Sequence, residues 1–468
     1  MTLLTFRLHQ GFMAGVVSWG WRRLLPVGLA LALSACAANN VPSPQQDAQP
    51  RAQVPSLPGV PGTAGETGGA PDQSLEAVNE AEAALAAPVK VGLLLPLSGS
   101  RAAVGQSILN AAQLALFDLA GERFTLVVRD TGGTPEGAAA AAQSVLDAEV
   151  SLILGPLFST SVEAVKPLLA ELDMPLITFS NNNEIADPRT FVMGVTPRTQ
   201  VDRIVDHAVN QGLRRFAVLA PESPYGNSVV RSLQEAVFRN GVELSRVVFF
   251  DPGSPDISAE VRSLADYDQR AAALKAQRRS LSGRSDVAAQ RALARLRGQE
   301  TLGPPSFDGI LIPASGRQLL SVAPLMAYYD VDPDEVRFLG TALWDDPSLR
   351  REPSLRGAWF PAPPPALWRS FSNRYSQVYG KTPPRVASLG FDAVALAAVL
   401  ERRARAEGAF LIYTPDAITQ PVGFSGIDGI FRFLPDGQVQ RGLAVLELQP
   451  EAFAEVDPAP QAFGQEVN

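Results

Sequence analysis

From Val89 onward the chain alternates short apolar runs with longer stretches in which apolar residues recur every three or four positions. Short runs bounded by Gly, Pro or Asn read as strands buried on both faces, and the longer periodic stretches read as helices. The first unit is Val89 to Leu95, a strand ended by Pro96 with Ser98-Gly99 as the turn, followed by an alanine-rich helix from Ala102 to Ala120. Strands at 124–128, 151–154 and 175–179 and helices at 136–148 and 161–172 continue the alternation. Beyond the turn-rich stretch 181–188 come a helix at 200–211, a strand at 216–220, a helix at 226–240 and a strand at 247–250. Further strands are predicted at 307–312 and 337–339, helices at 368–379 and 387–406, and a hairpin-like pair at 429–433 and 443–448 around Pro435-Asp436-Gly437. Apolar strands separated by helices predict parallel sheets in a doubly wound α/β fold. More than 400 residues exceed what one core serves, so two lobes are expected.

Three segments depart from this rhythm. Residues 257–303 form a charged helical stretch with nine Arg/Lys and five Asp/Glu, net +4, read as a solvated hairpin or a docking surface for an acidic partner. Residues 451–468 read as a polar, acidic, disordered tail. The N-terminal part lacks the pattern altogether. Arg22-Arg23, an apolar run from Leu24 to Leu33 and Ser34-Ala35 precede Cys36, the only cysteine, in the order of a lipoprotein signal spanning 1–35. Ten apolar residues are too few to span a bilayer, and Met13 would serve such a signal as well as Met1. Cleavage makes Cys36 the lipidated N-terminus. Residues 36–87, rich in Pro, Gly, Ala, Gln and Ser, are expected to be a disordered tether with an end-to-end distance of about 35 to 40 Å.

The formal charge of −8 becomes −11 once the three arginines of the signal are removed. That balance excludes a general nucleic-acid binder. A single cysteine excludes an internal disulfide, and it excludes clustered Cys/His metal sites as well. His207 is the one histidine after the signal; in a polar helix it reads as a surface residue. Gly380-Lys381-Thr382 lacks the first glycine and the preceding strand of a phosphate loop, and no lysine has a serine three residues before it. No catalytic residue, metal or cofactor is expected, so the protein reads as a binder rather than an enzyme.

In an open parallel sheet, ligands gather at the carboxyl ends of strands, beside helix N-termini. Those positions are small and polar here: Ser98 after the first strand, Ser159 and Thr160 after Gly155-Pro156, Ser180, Asn181 and Asn182 after Phe179, and Tyr225 after the strand ending at Ala220. Each is by itself an ordinary cap or turn; their recurrence predicts a polar ligand cleft.

Val91-Gly92-Leu93-Leu94-Leu95-Pro96-Leu97-Ser98-Gly99, Leu154-Gly155-Pro156, Pro175-Leu176-Ile177-Thr178, Tyr225-Gly226 and Phe338-Leu339-Gly340 occur in that order. Over residues 88–448 the chain resembles the type I periplasmic binding proteins of the branched-chain amino-acid receptor kind. The resemblance implies two lobes, each a doubly wound parallel sheet, joined by three crossings near Val195, Leu355 and Phe424. Lobe 1 is then 88–195 and 355–424, and lobe 2 is 196–354 and 425–450. It also implies that Ser159 binds a ligand carboxylate, that Tyr225 packs on the ligand, and that Asn182 replaces a contacting threonine. Ala342 stands where amino-acid receptors keep an acid for the ammonium group, and a buried ammonium without a counter-charge is costly; Asp345 or Asp346 could substitute.

The lipobox, the tether, the basic insertion with Arg278-Arg279, and Phe431-Arg432-Phe433 with Asp436-Gly437 are similar to penicillin-binding-protein activator lipoproteins. That narrower resemblance implies a non-enzymatic activator of a peptidoglycan synthase, anchored by lipid at Cys36 in the periplasm, with Ala37 favouring the outer membrane. The helical-repeat domain of such activators does not fit within 37–87. The second reading is a solute receptor of an ABC permease for amino acids, amides or similar small polar ligands.

Overall fold

The computed structural model describes residues 88–464, so the signal, Cys36 and the tether lie outside the described residues. The first sheet consists of β1 (Val89–Leu95), β2 (Phe124–Asp130), β3 (Leu152–Leu154), β4 (Leu176–Thr178) and β5 (Thr190–Val192), all parallel, in the order β2-β1-β3-β4-β5. Between and after them run α1 (Ala102–Leu119), α2 (Pro135–Leu146) and α3 (Ser159–Leu169). The pleat divides β1 between two cores. Val91, Leu93 and Leu95 face one core, whereas Leu94 packs with Val145 of α2 and Val162 and Val165 of α3 on the other.

The second sheet holds β6 (Arg215–Pro221), β7 (Glu243–Phe250), β8 (Gly309–Leu311), β9 (Arg337–Leu339) and β10 (Trp359–Ala362), all parallel. Its helices are α4 (Pro197–Asn210), α5 (Pro224–Arg239), α6 (Ser258–Leu264), α7 (Tyr267–Ser282), α8 (Val287–Arg295) and α9 (Gly316–Tyr328). Four helices open on a Thr-Pro or Ser-Pro pair. Thr134, Thr196, Ser223 and Thr414 each accept the N–H of a first-turn residue through the side chain while proline fills the next position, where no N–H is needed.

The chain then returns to lobe 1 as α10 (Pro365–Tyr379), α11 (Ala387–Glu407), the short α12 (Pro415–Ile418) and a three-stranded ribbon, β11 (Phe424–Gly426), β12 (Gly429–Phe433) and β13 (Val439–Arg441). Leu389, Val394 and Leu400 of α11 and Phe431 and Phe433 of the ribbon close the core above β1. Finally β14 (Ala444–Leu448) adds to lobe 2 antiparallel to β10, and β15 (Phe453–Asp457) adds antiparallel to β14 at the sheet edge.

Sheet membership moves two of the expected crossings. β10 belongs to the second sheet, so the second crossing falls at Pro363–Pro364 rather than near Leu355. The ribbon packs into lobe 1, so the third falls at Gly442–Leu443 rather than near Phe424. The apolar faces of Phe360 and Phe431 decide both: each completes a different core. The tail is also corrected. Residues 453–457 form an edge strand, with Phe453 edge-on to Phe360 at 5.1 Å and Asp457 accepting from Arg203 Nη1 at 2.8 Å. His207, expected at the surface, is buried, lies edge-on to Trp359 at 4.8 Å, and sets Nδ1 2.9 Å from Asp457 Oδ2. The Arg203 contact, aided by His207, holds the Asp457 carboxyl below its ordinary range. The stretch 257–303 is helical, but Val261 and Leu264 of α6 belong to the lobe 2 core, so the exposed hairpin is α7 and α8.

α1 and α11 approach closely because one of them carries glycine at the contact. A Cβ on Gly390 would sit 2.3 Å from the carbonyl oxygen of Ile108. Gly390→Val is therefore expected to cost about 1–3 kcal/mol by overpacking, read as a lower urea midpoint at unchanged slope. An unaltered midpoint would show that the helices can separate freely.

Candidate functional site

The carboxyl ends of both sheets face a cavity of about 450 Å³ that residues of both lobes line. Lobe 1 contributes Leu157 and Phe158 from the turn after β3, Phe179 and Asn181 after β4, and Val386 and Leu389 at the start of α11. Tyr225, Ala342 and Leu343 come from lobe 2, and Val195 and Pro363 from the first two crossings. Most of this wall is apolar.

Of the seven cleft residues expected from sequence, Asn181 and Tyr225 line the cavity. Tyr225, in the first turn of α5, donates its hydroxyl to Thr341 Oγ1 at 3.1 Å, and burial pushes it up to about 12, so it remains a neutral phenol. Ser98 belongs to the turn beside Asp130, whose Oδ1 accepts the N–H groups of Leu97 and Ser98; the Ser98 hydroxyl is the main influence holding that carboxyl below its ordinary range. Ser159 and Thr160 begin α3, and Leu157 and Phe158 just before them supply the wall instead. Ser180 is buried and accepts the Asn182 N–H at 3.1 Å, while Asn182 Oδ1 accepts the Glu184 N–H at 3.0 Å. Those two side chains shape the turn that presents Asn181.

Gln200 ties the first crossing to the cleft. Its Nε2 donates to the carbonyl oxygens of Val195 and Thr196, both at 3.1 Å, and its Oε1 accepts the Ala342 N–H at 2.7 Å. Its amide is thus occupied by protein groups.

The charged part of the wall centres on a residue that the sequence patterns did not single out. Arg385, after Pro383-Pro384, sends Nε and Nη2 across to Asp345 Oδ2 at 2.9 and 2.7 Å, joining lobe 1 to lobe 2. Its guanidinium lies 4.3 Å above the Trp368 ring, and Nη1 is 3.8 Å from Oδ1 of Asp428. Asp428, almost wholly buried in the β11–β12 turn, also accepts the Ser388 hydroxyl at 2.7 Å. Ile427-Asp428-Gly429 carries a turn signal in sequence, but no local pattern says that the turn faces a cleft. Asp345, noted as a possible ammonium partner, is committed to Arg385. A second inter-lobe pair joins Arg231 of α5 to Glu184.

Behind Asp428 stands a buried cluster. Asp392 Oδ1 accepts the Ile427 N–H at 2.7 Å, while Arg441 Nη2 donates to the Met193 carbonyl beside the first crossing. Burial, reinforced by the neighbouring Asp428 carboxylate, pushes Asp392 up to about 7. Arg441 is shifted downward by the same burial.

Two lobes, each with its own sheet, joined by three crossings around a shared cleft, can hold a small molecule by burying it between them. Among curated proteins, the Leu/Ile/Val-binding protein BraC3 of Rhizobium johnstonii is 24% identical over 184 residues, 37% of this chain and 50% of that protein. The chain spans about half the length of the curated relatives it matches. Among solved structures, a Rhodospirillum rubrum protein assigned to a branched-chain amino acid ABC transporter superposes with a TM-score of 0.63 at 18% identity, covering 79% of this chain and all of that one. The leucine-binding protein LivK of Thermotoga maritima gives 0.52 at 21% identity, with 80% and 99% covered. The family model described as periplasmic binding protein matches residues 88–453, from the first strand of lobe 1 into the last strand of lobe 2. That match takes in both sheets, the three crossings and the whole cleft wall, and by it this chain belongs to the periplasmic binding protein family.

Proposed function

We propose that the protein is a non-enzymatic solute receptor that captures a small molecule between its lobes in the periplasm and presents it to an ABC permease, held to the membrane by lipid at Cys36. The observation that carries this reading is the cavity of about 450 Å³ walled by both lobes, within the size range of small-molecule sites. The proteins named above are a Leu/Ile/Val-binding protein, a leucine-binding protein and a protein assigned to a branched-chain amino acid ABC transporter, which favours the receptor over the synthase activator. The activator reading drew on the basic insertion, yet several of its arginines are engaged internally. Arg262 pairs with Asp268 and Arg284 with Asp286, Arg278 donates to Leu296 and Gln299 carbonyls, and Arg270 is buried against Gly303.

The test is thermal melting in a low-molecular-weight extract of the growth medium, for the wild type and for Ala342→Trp, which fills the cavity. A true ligand stabilises the folded protein by mass action. The wild-type transition is expected to rise and the Ala342→Trp transition to stay where it is without extract. No rise in the wild type, or an equal rise in both, would remove the receptor reading.

A further inference from the structure

We infer that the cleft takes an uncharged, largely apolar ligand rather than a zwitterionic amino acid or an organic anion. This assignment rests on the solute-receptor reading and specifies its ligand class. The first support is the state of the charged groups in the wall. Arg385 is the cation of the cavity lining, and Asp345 takes it through two donors while Trp368 covers its face. A ligand carboxylate seeking Nε and Nη2 would have to displace a protein carboxylate already bound at 2.7 Å, and the remaining donor, Nη1, is buried toward Asp428, 3.8 Å away. A ligand ammonium approaching Asp345 or Asp428 would meet Arg385 between them, since Arg385 contacts one at 2.7 Å and lies 3.8 Å from the other.

The second support is that the polar groups that would bind a carboxylate are elsewhere or occupied. Ser159 and Thr160 are outside the cavity wall, Ser180 and Asn182 build their own turn, and the Gln200 amide holds the crossing to Ala342. The third is the surface that remains. Leu157, Phe158, Phe179, Leu343, Val386 and Leu389 present hydrocarbon to the cavity, leaving Asn181 and the lone pairs of the Tyr225 hydroxyl for neutral hydrogen bonds. Enclosing an uncompensated charge against such a wall is unfavourable, because neither water nor a counter-ion replaces its solvation, whereas burying an apolar body is favourable in proportion to its area.

The experiment compares four probes of similar size: 2-phenylacetamide, phenylacetate, L-leucine and phenethylamine. Binding is measured by calorimetry to the wild type, Arg385→Ala and Asp345→Asn. The wild type is expected to bind phenylacetamide at least tenfold more tightly than any charged probe. Arg385→Ala leaves Asp345 without its cation and is expected to gain tenfold or more for phenethylamine. Asp345→Asn releases the guanidinium and is expected to gain similarly for phenylacetate. Wild-type binding of leucine or phenylacetate equal to or tighter than that of phenylacetamide would overturn the assignment. So would variants whose preferences do not move in these opposite directions, or four probes that bind none of the three proteins. The extract experiment decides separately whether the cleft binds any solute, so failure of the ligand class and failure of the receptor reading are told apart.

Discussion

Replacing Trp344 by alanine is expected to lower the stability of the protein by about 3–5 kcal/mol. Trp344 is fully buried in the lobe 2 core, among the largest side chains to be so. Its indole N–H donates to the Ala314 carbonyl at 3.1 Å, so truncation leaves both a cavity and an unmatched acceptor. Gly340 shows how closely the ring is packed, because a Cβ there would fall 2.1 Å from the indole Cδ2. The position also matters for the cleft. Trp344 ends the short 3-10 turn Ala342–Trp344, and its two other residues line the cavity, so the wall of lobe 2 stands on this ring. Urea denaturation should show the loss as a fall in midpoint, and Trp344→Phe should recover much of it by refilling the space without the N–H. A Trp344→Ala loss below about 1 kcal/mol would mean that the core collapses around the gap and that the ring is not the support inferred here.

The second large effect is expected at Arg441 and depends on pH. Arg441 is buried beneath the Phe431 ring, 5.2 Å from its centroid, and stands with Asp392 and Asp428, both almost inaccessible. The groups facing Asp392 are Asp428 on the β11–β12 turn, Arg441 at the end of β13 and the Ile427 N–H. Arg385 and Ser388 lie beyond Asp428. Arg441→Met removes the cation and leaves two buried carboxylates, a change expected to cost about 3–5 kcal/mol at pH 8. The sign of the pH dependence follows from Asp392. Its carboxyl is raised in the folded protein from 3.8 to about 7. The stability it contributes as a protonated group is fully present below about pH 4 and is lost as pH rises through about 7. Without Arg441 the carboxyl is raised further, so the variant should lose less at pH 5 than at pH 8. Asp392→Asn keeps the acceptor for the Ile427 N–H, carries no charge, and should flatten the dependence between those two pH values. Denaturation of the three proteins at pH 5 and 8 measures this, and an equal Arg441→Met loss at both would show that Asp392 does not titrate there.

The cleft shows why some site residues were legible in sequence and others were not. Asn181 and Tyr225 were found because each follows a recognisable apolar strand, and in a parallel sheet the residue after a strand has one direction to go. Ser180 and Asn182 satisfied the same rule, yet their side chains were taken by backbone N–H groups of their own turn, a competition that short polar residues commonly win locally. Arg385, Asp345 and Asp428 obey no such rule. They meet from α11's leading loop, the turn after β9 and the β11–β12 turn, segments separated by 40 and more residues. Their pairing is therefore a property of the way the two lobes meet and not of any local pattern. His207 misled for a similar reason. Its helix is polar by composition, but β15 and Trp359 cover the face on which it lies.

The amino-acid sequence by itself determined the alternation of strands and helices, because the period of two or 3.6 in apolar positions is imposed by the local backbone. Thr-Pro and Ser-Pro pairs fix four helix starts locally, three of them one to three residues before the starts expected from periodicity and the fourth not expected from it, and the sequence also determined that two doubly wound lobes would be built. Only the tertiary structure decided which lobe owned β10, the ribbon and β15, since an apolar strand fits either sheet until the rest of a core is present to cover it. Only the tertiary structure, too, brought Arg385 between Asp345 and Asp428. Opposite charges far apart along the chain pair when folding removes the water that screens them, and in this protein that pairing leaves hydrocarbon as the main surface of the cleft.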